Sequence, residues 1–218
     1  MDIEGTTTSI AFVHETLIAY ARARMAAFLA DNAGDDAVAH ELAEIRRMEP
    51  DVPELATLLA LMDRDSTLTP LKTLQGMIWR AGYAAGDLHG GIYPDAASAL
   101  RRWSTMGLRL YVYSSGSVEA QKLMFKHSAA GDLVPLFSAF FDTGVGSKRE
   151  PESYVQLALG MHLPPNEMLF LSAVEEELDA AATAGFRTCQ LVRESDGTIA
   201  SDRHDTARNF AEIRAIST

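Results

Sequence analysis

The chain has 218 residues, 47% hydrophobic and 22% charged, with 30 acidic against 19 basic side chains and a formal net charge of -11. That balance excludes a disordered chain and argues against nucleic acid as a partner, since its phosphates demand clustered Lys and Arg. With no apolar run of about 18 residues and no basic segment followed by an apolar one, the expectation is a cytoplasmic protein without a membrane span or leader.

In chain order, the first element is Asp2-Ile3-Glu4-Gly5-Thr6-Thr7. Where a segment leaves the end of a strand, residues i and i+2 point the same way, so Asp2 and Glu4 are set to converge on one phosphorus atom and one metal ion. Gly5 lets the backbone turn sharply. In such a pair one carboxylate attacks phosphorus while its neighbour protonates the leaving oxygen and later takes a proton from water. Thr6 is placed to hydrogen-bond a phosphate oxygen. Taken alone, an acidic pair beside Gly-Thr is more often a solvated turn, so the companions decide between the two readings.

From Ile10 to about Gly90 the apolar residues recur at three and four, as in Leu17, Tyr20, Met25, Phe28 and again Leu55, Leu58, Leu59, Met62, which predicts helices. Breaks at Asn32-Ala33-Gly34, Pro50-Asp51-Val52-Pro53 and Thr67-Leu68-Thr69-Pro70 divide the stretch into about four, arranged as a bundle. After Tyr93 the pattern alternates: helix 95–106, strand 109–113, helix 118–127, strand 139–141, helix 152–159, strand 168–171, helix 175–184 and strand 187–192. Apolar strands separated by helices predict an α/β fold with a parallel sheet covered on both faces. Active sites of such sheets lie beyond the carboxyl ends of the strands.

Three segments at those ends carry chemistry. Ser114-Ser115-Gly116-Ser117 opens a helix, where hydroxyls and backbone N–H groups hold phosphate, although Ser117 also suits a plain N-cap. Lys148, in Gly146-Ser147-Lys148-Arg149-Glu150, is placed to neutralise phosphoryl oxygens; by itself it reads more often as a solvated loop lysine. Leu169-Phe170-Leu171-Ser172 runs into the acids Glu175-Glu176-Glu177, which also suit a helix dipole. The six His residues are scattered without ligand spacing, against a zinc site. The one cysteine, Cys189, stands in an apolar run and is expected to be a buried structural thiol.

The order of these parts resembles the haloacid dehalogenase (HAD) superfamily of phosphatases. More narrowly, Asp2 to Ile10, Tyr113-Ser114-Ser115-Gly116-Ser117, Phe141-Asp142-Thr143, Lys148-Arg149-Glu150, Leu169-Phe170-Leu171-Ser172 and the helical Leu71 to Trp79 resemble the enolase-phosphatases of methionine salvage, the acireductone synthases. That resemblance covers nearly the whole chain. It implies a HAD-like Rossmannoid core, residues 1–10 and 91–218, with an inserted all-helical cap, residues 11–90. It also implies a Mg²⁺-dependent monomer that enolises 2,3-diketo-5-methylthiopentyl 1-phosphate and then removes its phosphate, leaving the acireductone. By carry-over, Asp2 is nucleophile and metal ligand, and Glu4 is acid/base with its carbonyl on Mg²⁺. Ser114, Ser115 and Lys148 hold the phosphate, and the cap excludes water. Lys72, Gln75 and Trp79 share a helix face, with Trp79 expected in the cap core.

The sequence departs from that family twice. A strand of apolar residues precedes the family's nucleophile, whereas Asp2 follows Met1 directly, so a central strand is expected to be missing and Asp2 to stand on a fraying, unpaired end. The family's Leu-Ser-Asp is here Leu171-Ser172-Ala173. A methyl group cannot bind Mg²⁺, which leaves Glu176 or Glu177 to reach in. Two other readings stay open: a non-catalytic homologue that keeps the phosphate pocket for binding, and a HAD phosphatase of another specificity.

Overall fold

The computed structural model describes residues 1–214. They form two compact units, Phe12–His89 and, apart from it, Met1–Ala11 with the chain from Gly90 onward. In the first unit a π-helical stretch, Phe12–Ile18, runs into α1 (Ala19–Asp31), followed by α2 (Asp36–Met48), α3 (Glu54–Asp63) and α4 (Thr69–Ala85). Asp35 caps α2 by accepting from the N–H groups of Ala37 and Val38, satisfying donors that a helix start leaves open. Met25, Ile45, Leu58, Leu71, Leu74 and Ile78, from all four helices, meet in one core. Each such burial contributes about 1.5–3 kcal/mol. Trp79 packs on that core and its Nε1 donates to the Leu17 carbonyl at 2.7 Å. The ring is anchored structurally, as expected for a residue with an apolar body and a polar tip.

The second unit contains α5 (Pro94–Thr105), β1 (Leu110–Tyr113), α6 (Val118–Lys126), β2 (Phe137–Phe141) and α7 (Pro151–Met161). After these come β3 (Leu169–Ser172), α8 (Glu175–Thr183), β4 (Arg187–Leu191) and β5 (Asp205–Ala207). All strand pairs are parallel. The strands stand in two groups, β1-β2 and β3-β4-β5, rather than in the single sheet the alternation predicts.

Met1 and Asp2 join the two groups. The Met1 nitrogen donates to the Tyr111 carbonyl at 3.0 Å and its carbonyl accepts from Tyr113 at 2.9 Å, while the Asp2 N–H donates to the Leu171 carbonyl at 2.8 Å. This corrects the expectation of a frayed nucleophile: Asp2 is paired and only 3% exposed. The chain then turns at Gly5, whose φ of +67° costs a residue with a Cβ about 1 kcal/mol or more. Gly90 is required for a different reason, because a Cβ there would lie 2.0 Å from the Met124 carbonyl oxygen.

Beside β1 and β3, Tyr113, Tyr154, Phe170 and Phe186 pack edge to face, with Tyr113 and Tyr154 centroids 5.6 Å apart. Cys189 on β4 is buried, and burial, with Asp205 and Glu212 adding, pushes its thiol up to about 11. No helix among the described residues is long and apolar enough to cross a membrane.

Candidate active site

The side chains with chemistry gather at the carboxyl ends of the central parallel strands. Lys148, which taken alone reads from sequence more often as a solvated lysine, is only 8% exposed, with its Nζ 2.5 Å from Asp2 Oδ1 and 2.8 Å from Glu177 Oε2. Two tyrosines set its loop. Tyr154, at the second turn of α7, donates its hydroxyl to the Lys148 carbonyl at 2.8 Å, and Tyr113, at the end of β1, donates to the Gly146 carbonyl at 2.9 Å. Packing of the two rings against each other places both hydroxyls, so the aromatic core fixes the ammonium.

Glu177 is the acid of the α8 start that turns inward. Glu176 is exposed, and Glu175 binds Arg203 and Ser201 away from Lys148. Ser172 donates its hydroxyl to Glu177 Oε2 at 2.8 Å and accepts from the Val174 N–H at 3.1 Å. Burial and the nearby Asp2 charge raise the Glu177 carboxyl from 4.5 to about 7, against the opposing pull of Lys148. For Lys148, burial disfavours the charged form, but the two carboxylates outweigh it and hold the ammonium above its usual 10.5. The cluster is an ammonium flanked by one carboxylate and one carboxyl poised near neutrality.

Ser114 is buried and follows Tyr113, whose N–H pairs with Met1, so it stands beside Asp2 in the sheet order. Ser115 is exposed on the same loop, and Ser117 caps α6 by accepting from Ala120 at 3.3 Å. Gln121 ties that loop to β2, donating Nε2 to the Gly116 and Phe141 carbonyls at 2.7 and 2.9 Å. Glu4 is half-buried and its backbone bridges to Thr8. The Thr6 hydroxyl accepts from the Ala173 N–H at 3.0 Å, and its side chain is fully buried.

Sequence reasoning passed over Arg193. It is buried just past β4, where its Nη2 donates to the Thr6 carbonyl at 3.1 Å and to Asp95 Oδ2 at 3.0 Å, with the guanidinium 4.1 Å over the Tyr93 ring. It holds the turn after Asp2 from behind. No local motif marks it, since its partners are remote in sequence.

Among the described residues no three acidic, His or Cys side chains come together to hold a metal ion. A Cβ at Gly5 would meet the Ala173 methyl at 3.0 Å, so that methyl crowds the Asp2 loop without offering oxygen. Mg²⁺ commonly takes one or two carboxylates with phosphate and water filling its octahedron. The Asp2 carboxylate and the carbonyls of its loop fit such a sparse set, and they do not fit an ion caged by three protein acids.

A buried carboxylate and a buried lysine thus meet at the carboxyl ends of parallel strands, with Ser-Ser on the next loop. Residues 1–185 match the haloacid dehalogenase-like hydrolase family, and the chain belongs to that family. Among its relatives is the enolase-phosphatase E1 of Granulibacter bethesdensis, 55% identical over 97% of this chain and 92% of the relative. The enolase-phosphatase E1 of Acidiphilium cryptum is 50% identical over 99% and 93%. Of solved structures, the UTR4 protein of Saccharomyces cerevisiae superimposes with a TM-score of 0.83 at 32% identity, covering 97% of both chains.

Proposed function

We propose that this chain is an enolase-phosphatase acting on 2,3-diketo-5-methylthiopentyl 1-phosphate in methionine salvage. The observation that carries the reading is the buried Asp2–Lys148 contact of 2.5 Å at the sheet's carboxyl end, in a chain 55% identical to a protein named enolase-phosphatase E1. In the proposed reaction the diketo phosphate first enolises, C1 losing a proton and the C2 carbonyl oxygen gaining one; an Asp2 oxygen then attacks phosphorus and the bond from phosphorus to the C1 oxygen breaks. Glu4 delivers a proton to that oxygen as it leaves in the enol product. Water then attacks the aspartyl phosphate, Glu4 takes its proton, and Asp2 is regenerated as inorganic phosphate departs. Lys148 balances the phosphoryl charge from a fixed position, so no reorganisation is needed in the transition state. Ser114 and Ser115 orient the phosphate oxygens.

Mg²⁺, held by the Asp2 carboxylate and the Glu4 carbonyl, would supply further charge neutralisation at the phosphate when bound. Residues 11–90 would act as the cap over the reacting groups. The protein would work in the cytoplasm as a monomer. A second reading, a phosphate-binding homologue without turnover, is favoured by one observation, the methyl of Ala173 where the family carries an acid.

The test is phosphate release from the diketo phosphate, with acireductone absorbance followed in parallel, in Mg²⁺ and in EDTA. Turnover that EDTA and Asp2→Asn each abolish supports the enzyme. Stabilisation by inorganic phosphate without turnover supports the binding protein.

A further inference from the structure

The loop that carries Asp2 and Glu4 closes on itself. The N–H groups of Thr6, Thr7 and Thr8 all donate to the Ile3 carbonyl, at 3.1, 2.8 and 3.0 Å, and the Thr7 hydroxyl is shared between the Ile3 and Asp2 carbonyls at 3.3 and 3.4 Å. A turn whose groups are satisfied from within moves as one unit, so its place against the strands depends on contacts from outside. Two of these come from the segment that leads into α5. Tyr93 donates its N–H to the Thr7 carbonyl at 2.9 Å, and the Gly91 carbonyl accepts from the Thr8 hydroxyl.

Tyr93 is itself held at its far end by the tight turn Glu194–Asp196 that follows β4. Its hydroxyl donates to Asp196 Oδ2 at 2.9 Å and stands 3.4 Å from Ser195 Oγ, with the Arg193 guanidinium 4.1 Å over the ring. The other Asp196 oxygen, Oδ1, accepts from the Ile10 N–H at 3.3 Å. Burial, with the Asp196 carboxylate adding and Ser195 and Arg193 opposing, raises the Tyr93 phenol above its usual 10, so the hydroxyl keeps its proton as a donor. Asp196 therefore grips the chain on both sides of α5's approach: Ile10 directly, and Thr7 through Tyr93.

We propose that Tyr93 and Asp196 are positioning residues for Asp2: the carboxylate fixes the phenol, the phenol fixes the Tyr93 backbone, and that backbone N–H fixes Thr7, whose hydroxyl meets the Asp2 carbonyl. Attack on phosphorus is sensitive to placement, and an error of about 1 Å costs roughly 100-fold. The effect falls on kcat rather than KM, because the phosphate-holding residues are set by other contacts, the Ser114–Ser117 loop by Gln121 and the Lys148 loop by Tyr113 and Tyr154. Both Asp196 oxygens accept, so an Asn side chain, with one acceptor oxygen and two N–H donors, keeps only one of the two grips. The kinetic side of this inference rests on the enzymatic reading, and the placement of the Asp2 loop rests on the hydrogen bonds alone.

The experiment has two arms on the full chain, comparing the native protein with Tyr93→Phe, Asp196→Ala, their double variant, Asp196→Asn and the control Ser195→Ala. Phe keeps the ring beneath Arg193 and removes only the hydroxyl. The first arm is phosphate release from the diketo phosphate in Mg²⁺. The expected result is a kcat lower by about tenfold or more in Tyr93→Phe and Asp196→Ala, with KM within about twofold. The double variant loses no more than the worse single one, since both remove the same link; Asp196→Asn recovers part of the loss, and Ser195→Ala matches the native protein. The second arm is backbone amide hydrogen exchange by NMR without substrate. Exchange at Thr6, Thr7 and Thr8 should quicken by about tenfold in the same two variants, with Val38 and Ile45 of the helical unit unchanged. A native kcat in the single variants, losses that multiply in the double variant, or native exchange at the three threonines overturns the proposal. A native chain that releases no phosphate overturns the enzymatic reading instead, and the exchange rates then decide the link from Asp196 to the Asp2 loop.

Discussion

Replacing Lys148 with Met tests the central electrostatic argument, because Met keeps the apolar stem and removes only the charge. The ammonium stands between Asp2 at 2.5 Å and Glu177 at 2.8 Å, with all three side chains nearly excluded from water. Breaking a buried pair by removing one partner costs about 3–5 kcal/mol, since the charge left behind has no compensation. Glu177 makes the cost depend on pH. Its carboxyl titrates near 7 against an ordinary 4.5, and Lys148 is among the groups holding it down, so the substitution raises it further. Near pH 5.5 Glu177 carries a proton in both proteins, and the expected loss is about 3 kcal/mol from Asp2 alone. Above pH 7 the native protein has released that proton and the variant has not, so the gap widens by about 1.4 kcal/mol per pH unit until the variant's own carboxyl titrates. Urea unfolding of both proteins from pH 5.5 to 8.5 measures this directly. A loss below about 1 kcal/mol, or a gap that stays constant across the series, would refute the claim that these three groups share one buried charge cluster.

The same shift predicts the behaviour of Glu177→Gln. A carboxyl raised in the folded state contributes stability that is full below 4.5 and is lost as pH rises toward 7. The native protein should therefore lose about 3 kcal/mol over that window and the variant should not, as read from denaturant midpoints. Arg193→Met should destabilise by about 2–4 kcal/mol by leaving the Asp95 charge with only the Phe210 N–H as partner, and should lower kcat more than it raises KM, because the Thr6 carbonyl behind Asp2 loses its donor. Gly90→Ala should cost about 2 kcal/mol or more in thermal unfolding, since its Cβ would lie 2.0 Å from the backbone oxygen of Met124.

The alternation after Tyr93 was legible because buried parallel strands are short, apolar and bounded by turn residues, as in Leu110–Tyr113 and Leu169–Ser172. Strand β5 was not, because Asp205-Thr206-Ala207 is three residues without an apolar run and exists only by pairing with β4. Asp2, Glu4, Ser114 and Ser115 stand out as candidates by their spacing. The burial of Lys148 does not, since Gly146-Ser147-Lys148-Arg149-Glu150 has the composition of a solvated loop and is drawn inward by Tyr113 and Tyr154. Three consecutive acids open α8, and only helix phase decides that the third faces Lys148 while the first meets Arg203.

The buried thiol of Cys189 gives the molecule a built-in clock. At neutral pH a thiol pushed up to about 11 is almost wholly protonated, and it is the thiolate that reacts. Its side chain is buried on the central strand of the β3-β4-β5 group, so a thiol reagent reaches it only after local opening uncovers that face of the sheet. The chain carries one cysteine, and each molecule therefore reports a single event. The rate of labelling, followed with and without a phosphate ligand, reads how often the sheet opens while the remainder of the chain stays folded.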